Sequence, residues 1–121
     1  MGMEWIILQK QHAPSCGDAI DMVHLARQTL GDRALEMELL ALFERQAGQI
    51  AGRLQDCGAQ HRAGLAHTLR GSALAVGAQD VAEAAGACEE AAAAPEFEIR
   101  IKALHAAVDA ARATVARLLA A

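Results

Sequence analysis

The chain has 121 residues, enough for one domain with its own core and no need of metal or disulfide staples. Apolar residues make up 54%, aromatics only 2%, and proline occurs only at Pro14 and Pro95, a composition that favours helix over strand. A net charge of −4 without a cluster of Lys or Arg argues against nucleic acid, and no apolar run is long enough to span a membrane.

Residues 1 to 17 read as a loosely structured N-terminal segment, and 18 to 121 as one helical domain. The opening "MGMEWIILQKQ" has no basic stretch ahead of its apolar piece, so it is a poor secretory signal. Met3 to Leu8 is apolar enough to pack as a short cover, and "APSCGD" is a turn cluster. Cys16, Cys57 and Cys88 are odd in number and widely spaced, matching neither a zinc pattern nor a disulfide framework. Reduced, mostly buried thiols in a cytoplasmic protein are the expectation.

A short first helix is expected over roughly 18 to 30, carrying Ile20, Val23, Leu25 and Leu30. Gly31 can end it and Asp32 can cap the next. The second helix is expected from Arg33 to Cys57, with Leu35, Leu39, Leu42, Phe43, Ile50 and Leu54 as its apolar stripe and Gly58 as its stop. The third spans about 59 to 76 and ends at "VGA". The fourth spans about 79 to 94, with Val81, Ala85, Cys88 and Ala92 on one face, and Pro95 closes it. The fifth repeats Phe97, Ile101, Leu104, Val108, Ala111, Val115 and Leu118 at alternating steps of four and three, a heptad-like seam. Short turns between long helices predict an all-α, antiparallel up-down four-helix bundle with an additional short N-terminal helix.

The third helix holds the chemistry. It contains "AHTLRGSALAVGA", in which two glycines interrupt a helical pattern beside a histidine. At about 100° per residue, Gly64 and Gly71 fall within roughly 60° of His67. Gln60 and Leu74 flank it more closely, while Leu65, Leu69, Ser72 and Val76 fall on the far side. His67 therefore points outward among residues with little side chain. Each glycine costs about 1 kcal/mol against alanine inside a helix. Chance in an Ala/Gly-rich chain is the plain explanation; the sharper one is a second molecule approaching the backbone beside the imidazole.

The residues His67, Leu69, Arg70, Gly71, Ser72, Gly77 and Ala78 resemble the motif of histidine-containing phosphotransfer (HPt) domains, His-x-Leu-Lys-Gly-Ser followed by a Gly-Ala. The upstream "TLGDRALEMELLALFERQAGQI" is similar to the second helix of that family, so the likeness spans roughly 20 to 120. It implies that His67 is the phospho-acceptor, taking a phosphoryl group on Nε2 from a receiver-domain aspartate and passing it to another receiver. Arg70 stands where most members have Lys and would stabilise phosphate charge. Gln60, Gly64, Thr68, Gly71 and Leu74 would form the partner-binding face. The partners implied are response-regulator receiver domains and a hybrid histidine kinase. No cofactor is implied, since the Mg²⁺ of transfer would sit on the receiver.

A hydrogen bond at Nδ1 would fix the tautomer and leave Nε2 free. If the third and fourth helices turn near Ala78, the position level with His67 is Glu89, with Glu90 an offset of one away. The family's use of a Gln or Glu there implies that Glu89 orients the ring; the plain alternative is two solvated carboxylates. Ser72 is read as a packing hydroxyl bonded back to a carbonyl, and Leu40 or Phe43 as possible helix-two contributors to the docking patch. His12, His24, His61 and His105 share no metal spacing. No nucleotide-binding Gly-rich loop occurs, so no kinase activity is expected. The competing reading is a non-catalytic helical adaptor that binds a signalling partner without phosphotransfer.

Overall fold

A computed structural model of the chain describes residues 19–121. Cys16, His12 and the apolar stretch Met3 to Leu8, with the expectations attached to them, lie outside the described residues. Five helices follow one another among the described residues: α1 Met22–Thr29, α2 Arg33–Arg53, α3 Ala59–Val76, α4 Gln79–Glu90 and α5 Phe97–Ala120. No strand occurs among the described residues. The four longer helices pack in neighbouring pairs, α2 on α3, α3 on α4, α4 on α5 and α5 on α2, while α1 rests on α2 and α3. No helix among the described residues is long and apolar enough to cross a membrane.

Local chemistry sets the helix ends. The Asp21 carboxylate accepts from the Val23 and His24 amides at 3.1 Å each, and Asp32 accepts from the Leu35 amide at 3.1 Å. Both satisfy donors that a helix start leaves unpaired. α1 stops because Leu30 and Gly31 both turn left-handed, at φ 54° and 80°. Gly77 does the same for α3 at φ 81°, and there the Ala78 amide returns to the Ala73 carbonyl at 2.8 Å. The Gly77 carbonyl also accepts from the Asp21 amide at 2.8 Å, which fastens the start of α1 to the end of α3.

The core runs through every helix: Leu25 of α1, Leu40, Phe43 and Ile50 of α2, Leu69 and Val76 of α3, Val81 and Cys88 of α4, and the α5 seam. That seam is as expected, with Phe97, Ile101, Leu104, Val108, Ala111 and Val115 buried. The α2 stripe is so only in part: Phe43, Ile50 and Leu54 are buried as expected and Leu39 is half-buried. Leu35 and Leu42 are exposed, and the buried positions are Glu36, Leu40, Phe43, Ala47, Ile50, Ala51 and Leu54. The buried face is rotated about 120° from the Leu35–Leu42 line. Small Ala47 and Ala51 face the core and let neighbours approach, while two large leucines are left outside. Glu36 is buried because it heads this stripe, and its carboxylate sits 3.3 Å from the Thr29 hydroxyl of α1. In and beside α1, Val23 and the capping Leu30 are exposed, although Leu25 and the preceding Ile20 are buried.

Three helices start or end elsewhere than expected. α1 begins at Met22, after the Asp21 cap, not at 18. α2 ends at Arg53, not Cys57. Its last carbonyls are taken by side chains from other helices: Arg62 Nε donates to Leu54 at 3.0 Å, and His105 Nε2 contacts the Ala51 carbonyl at 3.0 Å. The Arg62 guanidinium also lies 4.1 Å from the Phe97 ring centroid. α4 ends at Glu90, not Ala94, leaving Ala91 and Ala92 as a buried turn ahead of Pro95.

Candidate functional site

α3 buries Ala66, Leu69, Ala73 and Val76, at steps of three and four, and so turns the opposite side outward. His67 stands on that outer side with its side chain 69% exposed. Gln60, Gly64, Thr68, Gly71 and Leu74 are exposed with it. A Cβ built at Gly64 or Gly71 would meet nothing within 4 Å. Space, then, does not forbid a side chain at either glycine, and neither has a positive φ. Their only evident effect is to lower the surface beside the imidazole.

α3 and α4 double back across Gly77 and Ala78, which brings Glu89 level with His67. The Glu89 carboxylate lies 3.1 Å (Oε2) and 3.3 Å (Oε1) from His67 Nδ1. A carboxylate can only accept, so in the neutral ring the proton sits on Nδ1 and the Nε2 lone pair is unencumbered. Glu90 does not share this place. Its side chain is 81% exposed and approaches Arg100 at 3.7 Å. Two acids in the last turn of α4, with no basic residue there, oppose the helix dipole. Glu89 is therefore poorly explained by helix stability and well explained by the ring it holds.

One turn further along, Arg70 leans onto α4. Its Cδ lies 3.4 Å and its Nε 3.5 Å from where a Cβ of Gly86 would be. Among the described residues it makes no ion pair or hydrogen bond. A shallow groove runs past it, lined by Arg70, Leu74, Ala82, Glu83, Gly86 and Glu90.

Several sequence expectations are corrected here. Leu40 and Phe43 are buried, at 0% and 2% exposed, so neither can join a docking face. Ser72 does not bond back to a carbonyl of its own helix. Its hydroxyl donates to Gln46 Oε1 of α2 at 2.8 Å, a partner that no local pattern singles out. Of the two exposed leucines of α2, Leu35 and Leu42, the second lies beside Gln46. Of the other histidines, His61 is exposed and His24 has a buried, unpartnered Nε2. No group of His, Cys, Asp and Glu able to hold a metal occurs among the described residues. Cys57 is half-buried and Cys88 fully buried, both free. Burial pushes the Cys88 thiol above its ordinary range, against a smaller downward pull from Arg100.

The chemistry open to this arrangement is nucleophilic. One exposed ring nitrogen is presented, the other is anchored to an anion, and a guanidinium stands one turn away. No family model, curated protein or solved structure matches the chain.

Proposed function

We propose that this chain is a phosphorelay intermediate of the histidine phosphotransfer kind, accepting a phosphoryl group on His67 from a receiver-domain aspartate and passing it to another receiver. The observation that carries this is the His67–Glu89 pair, an exposed imidazole whose inner nitrogen is held at 3.1 Å. The four packed pairs of long helices support an antiparallel up-down four-helix bundle as the frame, with α1 as an addition.

In the forward step the Nε2 lone pair attacks the phosphorus of the aspartyl phosphate. The N–P bond forms as the P–O bond to the aspartyl oxygen breaks, and the aspartate leaves as a carboxylate. Nδ1 keeps its proton, so the ring becomes cationic, and Glu89 offsets that charge. Return to a second aspartate reverses each bond change. Transfer of this kind depends on alignment and charge neutralisation more than on covalent help from the protein. Arg70 supplies one cation for the phosphoryl oxygens. The Mg²⁺ belongs to the receiver. Gln60, Gly64, Thr68, Gly71 and Leu74 form the low face against which the receiver rests. A hybrid histidine kinase upstream, a cytoplasmic location and the absence of kinase activity of its own complete the proposal.

The test is incubation with a phosphorylated receiver. Acid-labile, alkali-stable label should appear on the protein and vanish in His67→Gln. Label that persists in His67→Gln removes the site; no label from any receiver of the same genome leaves the adaptor reading in its place.

A further inference from the structure

We infer that Gly86 is a positioning residue for Arg70, a role that rests on the relay reading for its purpose but not for its geometry. The two sides of the α3–α4 hairpin are in step: His67 meets Glu89, and one turn on Arg70 meets Gly86. At the first rung α4 supplies a carboxylate. At the second it supplies no side chain at all, in the interior of a helix where glycine costs about 1 kcal/mol against alanine. What fills the vacancy is the aliphatic stem of Arg70, whose Cδ lies 3.4 Å from the missing Cβ. The stem lies along the α4 backbone, and the charged head has no carboxylate partner among the described residues, although Glu83 and Glu90 line the same groove. A long arginine on an exposed helix otherwise spreads over many rotamers, at a cost in side-chain entropy when one is selected. Bedding the stem on a bare stretch of α4 removes part of that cost in advance. It leaves the guanidinium one helical turn from His67 and uncommitted to a protein anion among the described residues.

The spacing defines what Gly86 tolerates. A Cβ at 3.4 Å from Cδ is in ordinary contact, so alanine fits. A bulky side chain such as leucine would compete with the stem for that place. Gly86→Ala should therefore transfer at close to the wild-type rate with raised thermal stability. Gly86→Leu should fold but lose about tenfold in transfer rate, the worth of one charge-assisted hydrogen bond. Arg70→Ala should lose about the same, and the double variant no more than either alone.

Two readouts test this. The first is the NMR order of the Arg70 Nε–H, which needs no partner. It should be ordered in the wild type and Gly86→Ala, and mobile in Gly86→Leu. Equal mobility in all three overturns the seat. The second is the transfer rate from a phosphorylated receiver, alongside phosphorylation by phosphoramidate, where ammonia leaves as Nε2 takes the phosphoryl group. An unchanged rate in Gly86→Leu overturns the positioning role. So does a loss in the double variant equal to the product of the single losses, which marks a block to docking instead. If the seat is seen by NMR but the wild type takes label from neither donor, it is the relay reading that fails, and with it the transfer role of Gly86.

Discussion

Glu89 matters through one nitrogen of one ring. If His67 relays phosphate as proposed, Glu89→Ala removes both the acceptor for Nδ1–H and the charge that would offset the phosphorylated ring, and should slow labelling of His67 about tenfold. Glu89→Gln keeps an acceptor and loses only the charge, so its rate should fall between. Neither should shift the melting temperature much, because the His67 side of the pair is largely exposed and solvent screens such pairs. Gly71 makes the complementary case. Open space surrounds its missing Cβ, so Gly71→Gln should match or slightly exceed the wild type in thermal unfolding while transferring more slowly. Transfer unchanged in that variant would mean that no partner comes close to the helix there. The outward place of His67 and Gly71 was legible from helical spacing, and that of Glu89 from a hairpin turning near Ala78. Ser72 was not: nothing local to it reveals that Gln46, 26 residues away, would take its hydroxyl.

Among the elements, α5 could be read directly, and α2 only in its second half, where Phe43, Ile50 and Leu54 are buried. In α5 the seam from Phe97 to Val115 is buried, and only Ile99 and Leu119 among its large apolar residues are left exposed outside it. In α2 the leucines lie along two lines, and the one richer in leucine near its start, with Leu35 and Leu42, is the exposed one. Alanine decided the matter, since α2 must approach α3 and α5 closely, and periodicity weighted by side-chain size undervalues Ala47 and Ala51. The joint between α1 and α3 shows a different limit. Gly77 was expected as a stop, and it is one, but it also carries a contact across the fold. A Cβ there would meet the Asp21 carbonyl at 2.8 Å, at a φ of 81° that L side chains rarely adopt. Gly77→Ala should cost on the order of 2 kcal/mol in denaturant unfolding, in contrast to the neutral or favourable effect at Gly71.

Across the whole molecule, the core is made of alanine and aliphatic residues with Phe43 and Phe97 as its only buried aromatics among the described residues. Cys88 sits within it, and its thiol is favoured in the protonated form when folded. A group whose folded value is raised adds stability in full below the unfolded range, and that contribution is lost as pH climbs towards the folded value. The wild type should thus lose more stability than Cys88→Ala between about pH 8 and 10 in denaturant melts. In native buffer a thiol reagent should modify half-buried Cys57 well before Cys88. All-helical architecture was legible from composition alone. The borrowed caps of α2, from Arg62 and His105, were not, because they join residues that only the closed fold brings together.

The imidazole, its anchoring acid, the guanidinium and its bare seat all come from one continuous stretch, Ala59 to Glu90, closed by a single tight turn. Contacts so local form early, before distant segments have found each other. The reactive geometry is thus a property of two adjacent helices, with the others acting as their buttress. Substitutions scattered over the outer faces of α1, α2 and α5 can drift widely and still leave that nitrogen aimed at whatever comes to meet it.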